Sequence, residues 1–179
     1  MKAFRRTRDG IRWRSSRNEV RLLRTLAEQL VEMVAPPEAA DADDWMIVLE
    51  NEFDTAPLDR GDPAVRRLFP AAYRDDEAAD AEWRSLTEAS MRRKKADEAR
   101  VVLAALEGGG TEVTFGVEAA EAWLRTVNAL RLVLGARLGI ESADMAAAVE
   151  ELGDDHPAYP AVEVYQWLGY VQGALLDCL

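Results

Sequence analysis

The 33 residues from Asp75 to Glu107 contain neither proline nor glycine, and this run constrains the fold more than any other feature of the sequence. Because proline and glycine are the residues that most often end a helix, the run predicts one long helix, or two helices joined by a kink. Its first half is acidic, its middle is basic at residues 92–95, and only its last turns are apolar. We therefore expect this helix to be partly exposed to solvent.

Other segments repeat apolar residues at helical spacing and begin or end at capping residues, proline or glycine. The first of these helices is predicted to have Asn18 as its N-cap and to end before Pro36, where a loop over residues 35–44 follows. Pro63 and Pro160 are predicted to open two further helices, since the first helical turn tolerates proline. Besides the long run, the predicted helices span residues 19–34, 45–49, 63–69, 117–138, 143–152 and 160–179.

A small β-sheet is predicted from three short segments that lie far apart in the sequence. The turn signal Asp9-Gly10 separates residues 2–6 from residues 11–14 and predicts a β-hairpin. An isolated hairpin is only marginally stable in water. We therefore expect residues 111–115, which alternate and carry β-branched side chains, to form a third antiparallel strand beside it.

The size and hydropathy of the chain predict one cytoplasmic domain. Its 179 residues are within the usual range for a single domain, so residues 1–179 are assigned to one mainly α domain of about six helices with the small antiparallel sheet. The most apolar stretch, residues 161–179, is interrupted by polar side chains and is not expected to span a membrane. The N-terminus has no apolar signal segment, and a lone thiol fits a reducing compartment.

The sequence offers little chemistry for catalysis or metal binding. Its only cysteine is Cys178 and its only histidine is His156, which excludes an intrachain disulfide and a CxxC metal or redox motif. The phosphate-binding, dinucleotide-binding, nucleophile-elbow and metalloprotease motifs are absent. The acidic loop residues beside His156 are more typical of turns than of a metal site. We therefore predict that the protein is not an enzyme and has no metal or cofactor.

The charge of the chain is unevenly distributed. Residues 1–24 hold nine basic and two acidic side chains, whereas the remaining residues have a net charge of −18. The charge pattern alone favours pairing of these arginines with acidic residues of the chain itself; in the functional interpretation they bind an anionic partner. Direct DNA binding is disfavoured, because the acidic remainder would repel phosphates. The predicted contact residues are Arg5, Arg6, Arg8, Arg12 and Arg14.

The last predicted helix is apolar on almost every side. Such a helix is either central to the fold or covered by a partner. Gly169 and Gly173 would allow a close helix crossing, for which ordinary internal packing is the simpler interpretation. A homodimer or a contact with a protein partner through this helix is predicted to use Tyr165, Leu168, Gly169, Gln172 and Leu176.

Two stretches carry a resemblance to a known family. The opening Met1–Arg6 with the helix to Val34, and the stretch Trp123–Gly135, together resemble an actinobacterial domain-of-unknown-function family that covers essentially the whole chain. Some of its members are described as AosR-like oxidative-stress transcription regulators. The resemblance implies a cytosolic regulatory protein. Because Cys178 is alone, any thiol switch would have to be intermolecular.

These observations lead to one functional hypothesis and one alternative. We predict a non-enzymatic regulatory protein that acts through macromolecular contacts, with an oxidative-stress transcription regulator as the specific form that the resemblance implies. The alternative is an adaptor or scaffold linked to Clp-type proteolysis or to the sulfur-carrier cysteine pathway, because members of the family are commonly encoded near both.

Overall fold

The computed structural model describes residues 4–35 and 58–179. It confirms the predicted fold class, a mainly α architecture with a small three-stranded antiparallel sheet. The predicted loop at 35–44 and the predicted helix at 45–49 lie outside the described residues, apart from Ala35. The elements are β1 (Phe4–Thr7), β2 (Gly10–Arg14), α1 (Arg17–Val34), α2 (Pro63–Leu68), α3 (Glu77–Leu106), β3 (Glu112–Phe115), α4 (Ala120–Arg137), α5 (Ala143–Glu150) and α6 (Tyr159–Leu176), with a 3-10 turn at Val117–Ala119.

The long run forms one continuous helix, α3, whose N-cap is Asp76. The helix is partly exposed, as predicted, and Trp83 and Leu86 in its first half face solvent. Its second half packs on α1 and α4 through small and apolar residues. In the basic middle of the helix, Arg92 is buried and donates hydrogen bonds to the carbonyls of Val34 and Ala35. A single buried guanidinium therefore ties the end of α1 to α3.

Helix α1 begins two residues earlier than expected, and the prediction that Asn18 is its N-cap is wrong. Ser16 is the N-cap: its hydroxyl accepts a hydrogen bond from the Glu19 N–H, and the Glu19 carboxylate accepts one from the Ser16 N–H at 2.7 Å. This reciprocal capping box satisfies two backbone donors at once, which Asn18 could not do. Glu19 also accepts a hydrogen bond from the indole N–H of Trp167 at 2.9 Å, so the cap links α1 to α6.

The sheet has the strand order β1-β2-β3, with β2 in the centre. The hairpin turn lies at residues 8–9, one residue before the predicted Asp9-Gly10, because Gly10 pairs with Thr7 as the first residue of β2. Gly10 has a φ of 129°, and a Cβ there would lie 2.2 Å from the carbonyl oxygen of Phe115. Glycine is thus required both by the backbone conformation and by the close approach of β3.

Four aromatic rings join the sheet to α4. Phe4, Trp13 and Phe115 project from the inner face, one from each strand, and all three contact the indole of Trp123 on α4. The Phe115 and Trp123 rings are stacked with centroids 4.3 Å apart, and Phe4 stacks on Trp13 at 5.8 Å. Each ring is at most 7% exposed. We call these four side chains the ring cluster.

Asp80 fixes the start of α3 against the preceding loop. Its buried carboxylate accepts hydrogen bonds from the Ala72 and Tyr73 N–H groups, at 2.8 and 3.4 Å, and pairs with Arg84. Burial alone would raise the pKa of Asp80, but the two backbone hydrogen bonds and the charge of Arg84 outweigh it and leave the pKa below its ordinary value.

We expect Trp123→Ala to lower the free energy of unfolding by about 3–5 kcal/mol, because it removes the ring that all three strands contact. Urea unfolding followed by far-ultraviolet circular dichroism measures this. Trp83→Ala is the matched control, since Trp83 is 45% exposed on α3 and its loss should change stability by about 0.5 kcal/mol or less. Equal effects of the two substitutions would show that the ring cluster does not stabilise the fold.

The lowered pKa of Asp80 predicts a pH-dependent contribution to stability. Its folded pKa lies below the unfolded value of about 3.9, so the contribution is present above that pH and is lost as the pH falls through the folded pKa. We expect Asp80→Asn to be less stable than the wild type at pH 7, with the gap narrowing as the pH falls below the unfolded pKa of about 3.9. The exposed Asp97→Asn should show a much smaller gap. A gap for Asp80→Asn that is constant with pH would contradict this account.

Candidate functional site

The outer side of the sheet carries most of the predicted contact arginines. Strand alternation turns Phe4 and Trp13 inward, so the neighbouring Arg5 and Arg12 lie on the outer side. Arg12 pairs in register with Arg5 on one side and with Thr114 on the other. Arg14 pairs in register with Glu112 at the end of the same side, and Arg8 lies in the hairpin turn. We call Arg5, Arg8, Arg12 and Arg14 the arginine face.

Within this face, one carboxylate neutralises part of the charge. Glu112 accepts a hydrogen bond from Nε of Arg14 at 2.8 Å and lies 3.4 Å from Nε of Arg12. The hydrogen bond from Arg14, together with the positive charges of Arg12 and Arg14, lowers the pKa of Glu112. These groups are substantially exposed, so the pairs add little stability. Pairing within the chain, as considered above, therefore applies to Arg12 and Arg14.

The other arginines of the basic segment behave differently. Arg6 donates a hydrogen bond to the carbonyl of Leu179 at 3.2 Å and so holds the C-terminal end of the chain against β1. Arg5 and Arg8 are exposed and make no ion pair with any described residue. The predicted group thus separates into one structural arginine, two that share Glu112, and two whose charges are not neutralised in the described part of the chain.

Three of the five residues predicted for a contact through the last helix converge on one arginine. The guanidinium of Arg131, on α4, lies 5.1 Å from the ring centroid of Tyr165 and donates a hydrogen bond to Oε1 of Gln172 at 2.6 Å. A Cβ on Gly169 would lie 3.6 Å from that guanidinium. The sequence analysis missed Arg131, because nothing in the local sequence shows that α4 faces this side of α6.

The remaining two residues of that group lie apart from Arg131. Leu168 is fully buried in the core of the chain, where its side chain packs with other apolar residues. Leu176 is 55% exposed at the end of α6. The close α4–α6 packing accounts for much of the apolar character that the sequence showed in this helix.

Two residues have reactive side chains, Cys178 and His156. Neither lies in a potential metal-binding group within the described residues. Cys178 is a free thiol, partly packed against the core after α6. His156 is exposed in a turn, where its Nδ1 accepts a hydrogen bond from the Ala158 N–H. Across residues 4–35 and 58–179, no group of three or more His, Cys, Asp or Glu side chains is placed to hold a metal ion. None of the helices in these ranges combines the length and apolar character needed to cross a bilayer.

The fold and the arginine face define a mainly α protein with a small sheet that presents positive charge to solvent. The chain belongs to the family described as Domain of unknown function (DUF2017), whose model matches residues 1–179. It is 32% identical to the proteins named oxidative stress regulator AosR from Mycobacterium bovis and Mycobacterium tuberculosis, over 95% of this chain and 83% of each relative. No solved structure matches the chain. The resemblance to an actinobacterial regulator family is thereby confirmed.

Proposed function

We propose that this chain is a cytoplasmic, non-enzymatic regulator of the oxidative-stress response that binds an acidic surface of a protein partner through its arginine face. The position of Arg5 and Arg8 carries this proposal, because both are exposed and make no ion pair within the described residues. Their charges are therefore available for an external contact. The names of the mycobacterial relatives support the regulatory context.

Binding rather than catalysis suits the chemistry of this face. A guanidinium stays protonated at all physiological pH values, so it does not exchange protons as a general acid or base. Its planar fork of N–H donors matches the two oxygens of a carboxylate. Glu112 partly neutralises Arg12 and Arg14 and so lowers the net positive charge of the face. This lower charge favours a small acidic epitope as the binding partner.

The charge distribution favours a protein partner over DNA. Duplex DNA carries one negative charge per about 1.7 Å of its axis and calls for an extended positive surface. The arginine face has four guanidiniums with Glu112 among them, and residues 25–179 have a net charge of −18. A carboxylate cluster on a protein matches the small area better. If the chain regulates transcription, this arrangement favours a protein contact over direct reading of bases.

The exposed end of α6 supports a second contact, for which we propose a homodimer. Leu176 and Leu179 are 55% and 49% exposed there, next to the partly buried Cys178. An adaptor role, the alternative from the sequence, would use the same apolar end to hold another protein. The molar mass from light scattering separates them, because a dimer independent of reductant supports the first and a monomer supports the second.

A complementation experiment tests the arginine face. In the bacterium that encodes this chain, the gene is deleted and survival of peroxide treatment is measured with wild type, Arg5→Gln/Arg8→Gln or the control Arg24→Gln/Arg100→Gln. Both double variants remove two exposed arginines, but those of the control pair within their own helices. We expect the control to restore survival and the face variant to fail at equal protein level. Full restoration by the face variant would refute the proposal.

The class of partner is tested separately by titrating the purified protein into fluorescent duplex DNA. We expect no saturable binding at 150 mM salt. Binding that weakens steeply with salt, and that Arg5→Gln/Arg8→Gln reduces, would contradict the choice of a protein partner and assign the face to DNA.

A further inference from the structure

A second concentration of arginines lies in a groove away from the sheet. The groove has a volume of about 320 Å³ and lies between α2, with the loop that follows it, and the connection from α4 to α5. Arg66 and Arg67 line it from α2, Arg74 lines it from the following loop, and Glu141 is the only acidic residue along its wall in the described part of the chain. The sequence analysis did not single out these arginines.

Main-chain carbonyls orient two of these guanidiniums without neutralising them. Nη1 of Arg66 donates to the carbonyls of Arg60 and Gly61, at 3.2 and 3.3 Å. Nη2 of Arg67 donates to the carbonyl of Ile140, just beyond the end of α4. Each guanidinium has five N–H donors, so most of them stay available after these bonds are made. Arg74 is exposed and makes no ion pair with a described residue.

Two acidic residues near α2, Asp62 and Glu88, are engaged with other arginines, and the Asp59 carboxylate accepts a hydrogen bond from the Gly61 N–H. Asp62 caps the helix through its hydrogen bond to the Ala64 N–H and lies 3.7 Å from Arg137, and Glu88 pairs with Arg60 at 2.6 Å. The lining of the groove therefore has three arginines and one glutamate, a net charge of +2, in a chain whose net charge is −11. Such a concentration of uncompensated cations in a concave site favours an anionic ligand.

We propose that this groove binds the phosphoryl group of a small phosphate monoester. At neutral pH a monoester phosphate has a charge of about −1.5 to −2 and three acceptor oxygens. The negative charge of the phosphate balances the net charge of +2 on the groove lining. The N–H donors of the three guanidinium groups can bond to its oxygens. The volume is within the range of about 300–1,000 Å³ that is usual for small-ligand pockets, so there is room for the organic part of a small metabolite. This site is separate from the arginine face and does not depend on the function proposed for it.

Isothermal titration calorimetry of the purified chain at low salt tests the proposal. The probes are ribose 5-phosphate, inorganic phosphate and acetate, with wild type, Arg74→Gln and Arg67→Gln as proteins. Arg100→Gln is the charge-matched control, because Arg100 is an exposed arginine of α3 that pairs with Asp97. Arg74 makes no ion pair with any described residue, so its substitution should leave the fold intact. The test therefore remains decisive if Arg67→Gln fails to fold.

We expect ribose 5-phosphate to bind the wild type and Arg100→Gln with similar affinity, and Arg74→Gln to bind about tenfold more weakly, the loss that one charge-assisted contact of about 1.4 kcal/mol would give. Equal binding of inorganic phosphate and ribose 5-phosphate would support the phosphoryl chemistry and show that the organic part of the ligand adds no affinity. No saturable binding, binding of acetate equal to that of phosphate, or equal losses in Arg74→Gln and Arg100→Gln would overturn the proposal.

Discussion

The contact between the inner face of the sheet and Trp123 is the interaction on which the rest of the structure depends. Strands of four and five residues form a sheet that would be marginal alone in water. Phe4, Trp13 and Phe115 gain their stabilisation by burial against one indole on α4, with two stacked and three edge-to-face ring pairs. The ring cluster therefore holds an otherwise marginal sheet against α4. This contact sets the direction in which the arginine face points.

Helix α4 can hold the sheet in place because it contacts most of the other elements. It packs on α2, α3 and α6 and touches α1, so the position of Trp123 is fixed from several sides. Polar contacts between distant elements complete the arrangement. Arg92 holds the end of α1 to α3, and Glu19 links the start of α1 to Trp167 on α6. Burial lowers the pKa of Arg92, yet the guanidinium keeps its charge at any physiological pH. Removing the Arg92 side chain would take a hydrogen-bond donor away from the carbonyl of Val34 in a buried site.

Local signals were sufficient to predict most helices and the three strands. The absence of proline and glycine predicted α3, Pro63 the start of α2, and the alternation of residues 111–115 the third strand. The N-cap of α1 was predictable as well, since Ser16 and Glu19 form the usual capping-box pair, but Asn18 was preferred. The roles of the arginines could not be predicted. Their partners are distant in sequence: they lie 58 residues from Arg92, 41 from Arg131 and 73 from Arg67. The local sequence around each arginine does not indicate which residue it will contact.

The central claim is that the ring cluster locks the sheet onto α4, and native-state hydrogen exchange of the backbone amides in β2 tests it most directly. The account predicts that these amides exchange only through global unfolding, with the free energy measured by urea denaturation. Helix α5, in which no described side chain is buried, provides the internal comparison and should exchange through local opening at a lower free energy. Exchange of the β2 amides at the same low free energy as α5 would show that the sheet detaches on its own and would contradict the account.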